Sequence, residues 1–140
     1  PENGMFGWGF ACRFAAVSDG LSNTLALGEF VHSDRGGMYA DYSGSVRPWA
    51  FGANDTSGSY SFKVIQAGIN AKLERLADGV PFNHLPMGSH HPLGAHFLFG
   101  DGGVKFLSET LDFNIYQALS TRNGSEIIPL TVPPTPSRRR

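Results

Sequence analysis

Asp101-Gly102-Gly103 stands between two short apolar runs, His96-Phe97-Leu98-Phe99 and Val104-Lys105-Phe106-Leu107, and few features limit the choice of fold as much. The runs are rich in aromatic and β-branched residues, and the glycines can supply the positive φ that a tight strand-to-strand turn demands. The stretch therefore predicts an antiparallel hairpin with a fixed register. Phe97 and Phe99 share one face of its first strand, Val104 and Phe106 one face of the second, and one face is expected to be core. Pro92 keeps His91 out of a helix and Gly94 lets the chain bend before the first strand, so His91 is placed at the foot of the hairpin and Asp101 at its tip. Asp101 before Gly102 has the chemistry of an Asx turn, its carboxylate accepting a backbone N–H two residues on.

Elsewhere the same reasoning gives shorter elements. Phe6, Trp8 and Phe10 alternate as in a strand with one buried face. Asp19-Gly20 marks a turn, and Ser22, Asn23 and Thr24 can fold their side chains onto nearby backbone N–H groups to cap it. Residues 24–31 read as a central strand interrupted by Glu29, whose carboxylate must find a partner; a structural hydrogen bond to a neighbouring loop is the expected one, with metal ligation as the alternative. Two strands are expected at 38–42 and 46–51, the second demoted to an edge by Pro48. Phe62, Ile65, Ile69, Leu73 and Leu76 sit at helical spacing, favouring a helix over 62–76, while Gly68 stands against it and an extended segment about Ile69-Asn70 is the alternative. After the hairpin, Ser108 or Thr110 is expected to cap a helix with Leu111, Ile115 and Leu119 as its apolar stripe, ended by Gly124, with a last strand at 126–130.

The fold class expected is α+β, mainly antiparallel β: a single globular domain over residues 1–130 with a C-terminal β-hairpin followed by a short helix. Residues 131–140, Pro-rich and ending in three arginines, are expected to be a flexible tail. A chain of 140 residues with 41% hydrophobic content can bury a core of its own, while 18 Gly, 9 Pro and only 16% charged residues favour short strands and turns over long exposed helices.

Charge and chemistry narrow the functions. The formal charge is −1 even with the three terminal arginines counted, so the body lacks the basic footprint of a nucleic-acid binder. The lone Cys12, between Phe10 and Phe14, is read as a small buried apolar residue, and no intrachain disulfide can form. No Gly-x-Ser-x-Gly elbow, phosphate-binding loop or paired catalytic carboxylates are evident, so no catalytic residue is assigned. Histidines gather at 84, 90, 91 and 96, but no Cys pair, His-Glu-x-x-His or Asp-x-Asp run accompanies them, and no metal or cofactor is assigned; Ca²⁺ at Asp101 is the alternative. His91 is expected to pin its loop to the hairpin base through a side-chain hydrogen bond.

Two segments carry a family resemblance. His91, nine residues, then Asp101-Gly102 resembles the C-terminal His-x9-Asp-Gly signature of a prepilin-like family abundant in planctomycetes, a domain of unknown function. Asp19-Gly20-Leu21-Ser22-Asn23-Thr24, followed by an apolar strand, Gly28 and Glu29, resembles that family's Asp-Gly-x-Ser-Asn-Thr segment, and Asn3-Gly4-Met5-Phe6-Gly7 is also typical of it. The resemblance implies a non-catalytic structural subunit of a pilin-like or pseudopilin-like protein, extracellular or in the cell envelope, with copies of itself or other envelope or pilus subunits as partners. Such proteins begin with a leader and a long apolar helix; residue 1 already lies in the globular part, so this chain is expected to be the C-terminal portion of one, or a divergent member without that helix, touching the membrane only through such a segment. The other function considered is a surface-displayed ligand-binding module, taking a carbohydrate at Trp8, Tyr42 and Trp49 or Ca²⁺.

Overall fold

The computed structural model describes residues 3–7, 10–31, 62–73 and 78–125. The expected hairpin forms. Strands β4 (Gly94–Phe99) and β5 (Val104–Ser108) pair antiparallel in the register His96↔Phe106 and Phe97↔Lys105. Between them the Phe99 N–H donates to the Gly103 carbonyl at 2.8 Å and the Gly102 N–H to the Phe99 carbonyl at 3.0 Å. The loop is thus Gly100-Asp101-Gly102, one residue earlier than expected, and only Gly102, at φ 87°, uses the left-handed region that glycine tolerates.

Strand β3 (Leu25–Gly28) adds antiparallel to β4, giving a three-stranded sheet in the order β3-β4-β5. Residues 24–31 are expected to hold a central strand; among the described residues β4 lies between β3 and β5, and Leu27 of β3 is exposed. N-terminally, β1 (Phe6–Gly7) and β2 (Phe10–Ala11) form a separate two-stranded pair, so the Phe6–Phe10 alternation marks a tiny hairpin rather than one strand. Single 3-10 turns occur at Phe14–Ala16, Leu21–Asn23 and Phe82–His84.

Directly opposed residues of an antiparallel pair project to the same side. Ala95, Phe97 and Phe99 therefore share the inner face with Lys105 and Leu107, and all three are buried with Ile69 and Tyr116 in the core. The short helix α1 (Phe113–Leu119) lies against this face, the Tyr116 and Phe97 rings meeting edge-on with centroids 5.7 Å apart. Lys105 extends along the same face until its Nζ is 4.1 Å from the Phe99 ring centroid and donates to the Ser22 carbonyl at 2.9 Å. Val104 and Phe106 do share a face, but it is the outer one, with His96 and Leu98, and they are 63% and 45% exposed. Register decides this: Phe97 opposes Lys105, which turns its neighbours Val104 and Phe106 away from the core.

Four further expectations are corrected. Residues 62–73 contain no helix. Asn70 adopts φ 59°, its N–H donates to the Met87 carbonyl at 3.0 Å, and its amide holds Ser89 and Glu109, so local polar bonding displaces the helical spacing of the apolar residues. Asp112, not Ser108 or Thr110, caps α1, its Oδ1 accepting from Asn114 and Ile115. The helix ends at Leu119 with Ser120 as cap, before Gly124. Cys12 is half-buried, its thiol donating to the Arg13 carbonyl at 3.4 Å. The strands expected at 38–42, 46–51 and 126–130, the aromatic residues Trp8, Tyr42 and Trp49 and the tail 131–140 lie outside the described residues. No helix among the described residues is long and apolar enough to cross a membrane. The architecture is α+β, as the sequence implied.

Candidate functional site

The residues singled out from the sequence fall into three groups. At the hairpin tip, Asp101 Oδ1 accepts the Gly103 N–H at 2.8 Å, the Asx turn expected there. That backbone bond, with the Ser22 hydroxyl next, holds the Asp101 carboxyl below its ordinary 3.8. Ser22 thus meets both Asp101 and, through its carbonyl, Lys105, and the two family-like segments touch here.

A second group ties residues 3–4 and 19–24 to residues 121–125. Asp19 Oδ2 accepts the Gly124 N–H at 2.7 Å and the Thr121 hydroxyl at 3.3 Å, while Oδ1 accepts the Ser125 N–H at 3.1 Å. Thr24, fully buried, donates from its hydroxyl to the Gly20 carbonyl at 3.1 Å, with the Thr121 carbonyl at 3.3 Å. Asn23 donates to the Asp19 carbonyl at 3.1 Å. These side chains are expected to accept from backbone N–H groups; Asn23 and Thr24 instead donate to backbone carbonyls, and the Gly20 carbonyl takes the Thr24 hydroxyl in addition to the Asn23 N–H. Arg122 completes the stitch, donating from its N–H to the Asn3 carbonyl at 2.8 Å and from Nη1 to the Gly4 carbonyl at 3.1 Å.

At the foot of the hairpin, Glu29 continues β3 opposite His96. Its N–H donates to the His96 carbonyl at 3.1 Å, and the His96 N–H donates to Glu29 Oε2 at 2.7 Å. The carboxylate thus has a structural hydrogen bond, but from strand β4 and not from the neighbouring loop expected. It also faces two imidazoles: His91 Nε2 lies 3.4 Å from Oε1 and His96 Nδ1 lies 3.5 Å from Oε2. The His91 and His96 rings meet edge-on at 5.0 Å, and Phe106 flanks His96 at 5.1 Å. Ligand-type atoms from Glu29, His91 and His96 all lie within 4.8 Å of one another.

The sequence offered no such convergence, because Glu29 and His96 are 67 residues apart and only the β3–β4 register makes them neighbours. In the sequence His96 is one of the gathered histidines, with no role of its own. Two signals pointed toward the cluster: a carboxylate breaking an apolar strand, and His91 and His96 on either side of a Pro92–Gly94 bend. His84 takes no part, its Nδ1 pairing with Gln66 Oε1 at 2.7 Å. Asp101 takes none either, since the length of β4 separates tip from foot, roughly 20 Å at about 3.3 Å per residue.

The His96 N–H, and more weakly the two imidazoles, hold the Glu29 carboxyl below its ordinary 4.5. A depressed folded-state pKa contributes stability that is present above 4.5 and is lost as pH falls through the folded value. Glu29→Gln, which keeps an oxygen for the His96 N–H, is therefore expected to flatten the fall of stability between about pH 5 and pH 3 in urea titrations. The side chain is 36% exposed, so solvent keeps this effect small. An unchanged slope would show that this carboxylate is not selectively bound.

A family model described as a protein of unknown function (DUF1559) matches residues 1–114. No curated protein and no solved structure matches the chain.

Proposed function

The chain belongs to the family of proteins of unknown function DUF1559, and from that premise we propose that it is a non-catalytic structural domain, the globular part of a pilin-like or pseudopilin-like subunit of the cell envelope or exterior, packing against copies of itself. The observation that carries this reading is the outer face of the sheet. Leu27, Val104 and Phe106 stand 47%, 63% and 45% exposed there, side by side with Leu98, and contiguous apolar surface on a folded domain marks a place where another surface sits. A second copy is the natural occupant, because a self-complementary patch needs no other gene product.

The use of the motif side chains supports the non-catalytic half of the proposal. Asp19, Asn23, Thr24 and Asp101 all bond to the chain's own backbone, an arrangement that shapes turns and ties segments together.

Light scattering over a concentration series is expected to show the chain associating, and Val104→Glu, which sets a charge on the exposed face away from the core, is expected to disperse it with little change in melting temperature. A strict monomer at every concentration, or association unchanged in the variant, would overturn the reading.

A further inference from the structure

We propose that Glu29, His91 and His96 bind one divalent transition-metal ion, Zn²⁺ or one of similar ligand preference, which fastens the loop leading into β4 onto the β3–β4 pair. All three ligands belong to one chain, so binding is tested independently of self-packing, though His96 shares the outer face with Phe106.

Spacing is the first argument. Nitrogen and oxygen ligands about 2.0–2.1 Å from a tetrahedral ion lie roughly 3.3 Å from one another. The two carboxylate–imidazole separations are 3.4 and 3.5 Å. As charge-assisted hydrogen bonds these are long against the usual 2.7–2.9 Å or so; they run to different oxygens of one carboxylate, which therefore faces both imidazoles, and one ligand atom from each residue lies within 4.8 Å of the other two.

Preorganisation is the second. Glu29 Oε2 is oriented by the His96 N–H at 2.7 Å, and His96 is fixed in the ladder between β3 and β5. His91 sits in a loop whose backbone is tied down on both sides. Its N–H donates to Ser89 Oγ at 3.0 Å, and that hydroxyl donates to the Gly94 carbonyl at 2.7 Å. The Ser89 N–H in turn donates to Asn70 Oδ1 at 2.9 Å, and Asn70 donates to Glu109 Oε2 at 2.9 Å. Metal ligands held by such surrounding bonds lose little freedom on binding.

Ligand chemistry sets the class of ion. Two imidazoles and one carboxylate suit Zn²⁺, Ni²⁺, Cu²⁺ or Fe²⁺, whereas Ca²⁺ and Mg²⁺ call for an all-oxygen shell. With His91, His96 and Glu29 side chains 55%, 44% and 36% exposed, the remaining coordination positions open to water.

The test uses the untagged chain, stripped by chelator and titrated with Zn²⁺ in a calorimeter. One ion per chain is expected, with a melting temperature about 5–10 °C higher at a free Zn²⁺ concentration near 100 times Kd. His91→Ala is expected to weaken binding by about 100-fold or more, since losing a ligand costs more than losing a residue that orients one, and to erase the thermal shift while the metal-free melting temperature stays close to that of the parent. His84→Ala should bind as the parent does. Should His91→Ala fail to fold, the parent chain still decides: Co²⁺ is expected to broaden the ring proton resonances of His91 and His96 but not those of His84. No heat with no thermal shift, equal affinity in a folded His91→Ala, or broadening centred on His84 would each overturn the proposal.

Discussion

Gly94→Ala is expected to destabilise the domain by about 3 kcal/mol or more, at the upper end of what overpacking costs. Gly94 opens β4 opposite Ser108, and a Cβ there would run into the Leu107 carbonyl oxygen and lie 2.9 Å from the Phe106 ring. The obstacle is backbone, which cannot swing aside as a flexible side-chain end does. To admit one methyl group, β4 and β5 must part at the foot of the hairpin, where the ladder also positions His96. Urea unfolding should therefore show a midpoint far below that of the parent, with a fall in melting temperature of roughly 10 °C. A loss under about 1 kcal/mol would mean that the strands separate there at little cost, and the close approach would lose its structural meaning.

The second large effect is expected from Asp19→Ala. One carboxylate accepts from Gly124, Ser125 and the Thr121 hydroxyl, and hydrogen bonds to a charged group contribute about 1.5–3 kcal/mol each when buried. Because the site is only partly buried, a loss of about 3 kcal/mol for the group is the expected size. Asp19→Asn, which keeps acceptors but loses the charge, should recover roughly half of it. Hydrogen exchange gives the sharper reading: the amides of Gly124 and Ser125 should lose protection while those of β4 keep theirs. Uniform loss across the domain, or none, would show that this carboxylate does not anchor the C-terminal segment.

What the sequence revealed, and what it hid, divides along the distance between interacting residues. The β4–β5 hairpin was legible because its turn and both strands lie within a few residues of Asp101, and the same holds for the Asx turn. The inner and outer faces of β5 were not, because alternation alone cannot say which set faces the core; Lys105 on the inner side, reaching across Phe99, reverses the obvious choice. The helix expected over 62–76 was misjudged for a related reason: the left-handed Asn70 takes its conformation from bonds to Met87, Ser89 and Glu109, none of them near it in sequence. Asp19 could be read as a turn former, but its hold on residues 121–125 depends on segments more than 100 residues apart coming together. The Glu29–His91–His96 cluster is the extreme case, since each residue had a local explanation and only strand pairing joins them.

The pairing of β3 with β4 also bears on the order in which the domain assembles. Leu25 meets Phe99 only after a long stretch of chain has been gathered in, a closure whose entropic cost must be met before any contact rewards it. The β4–β5 hairpin closes over three residues and faces no such delay. It is the natural nucleus, and β3 then docks on an edge already formed, so the acidic and imidazole side chains come together among the last events of folding rather than the first.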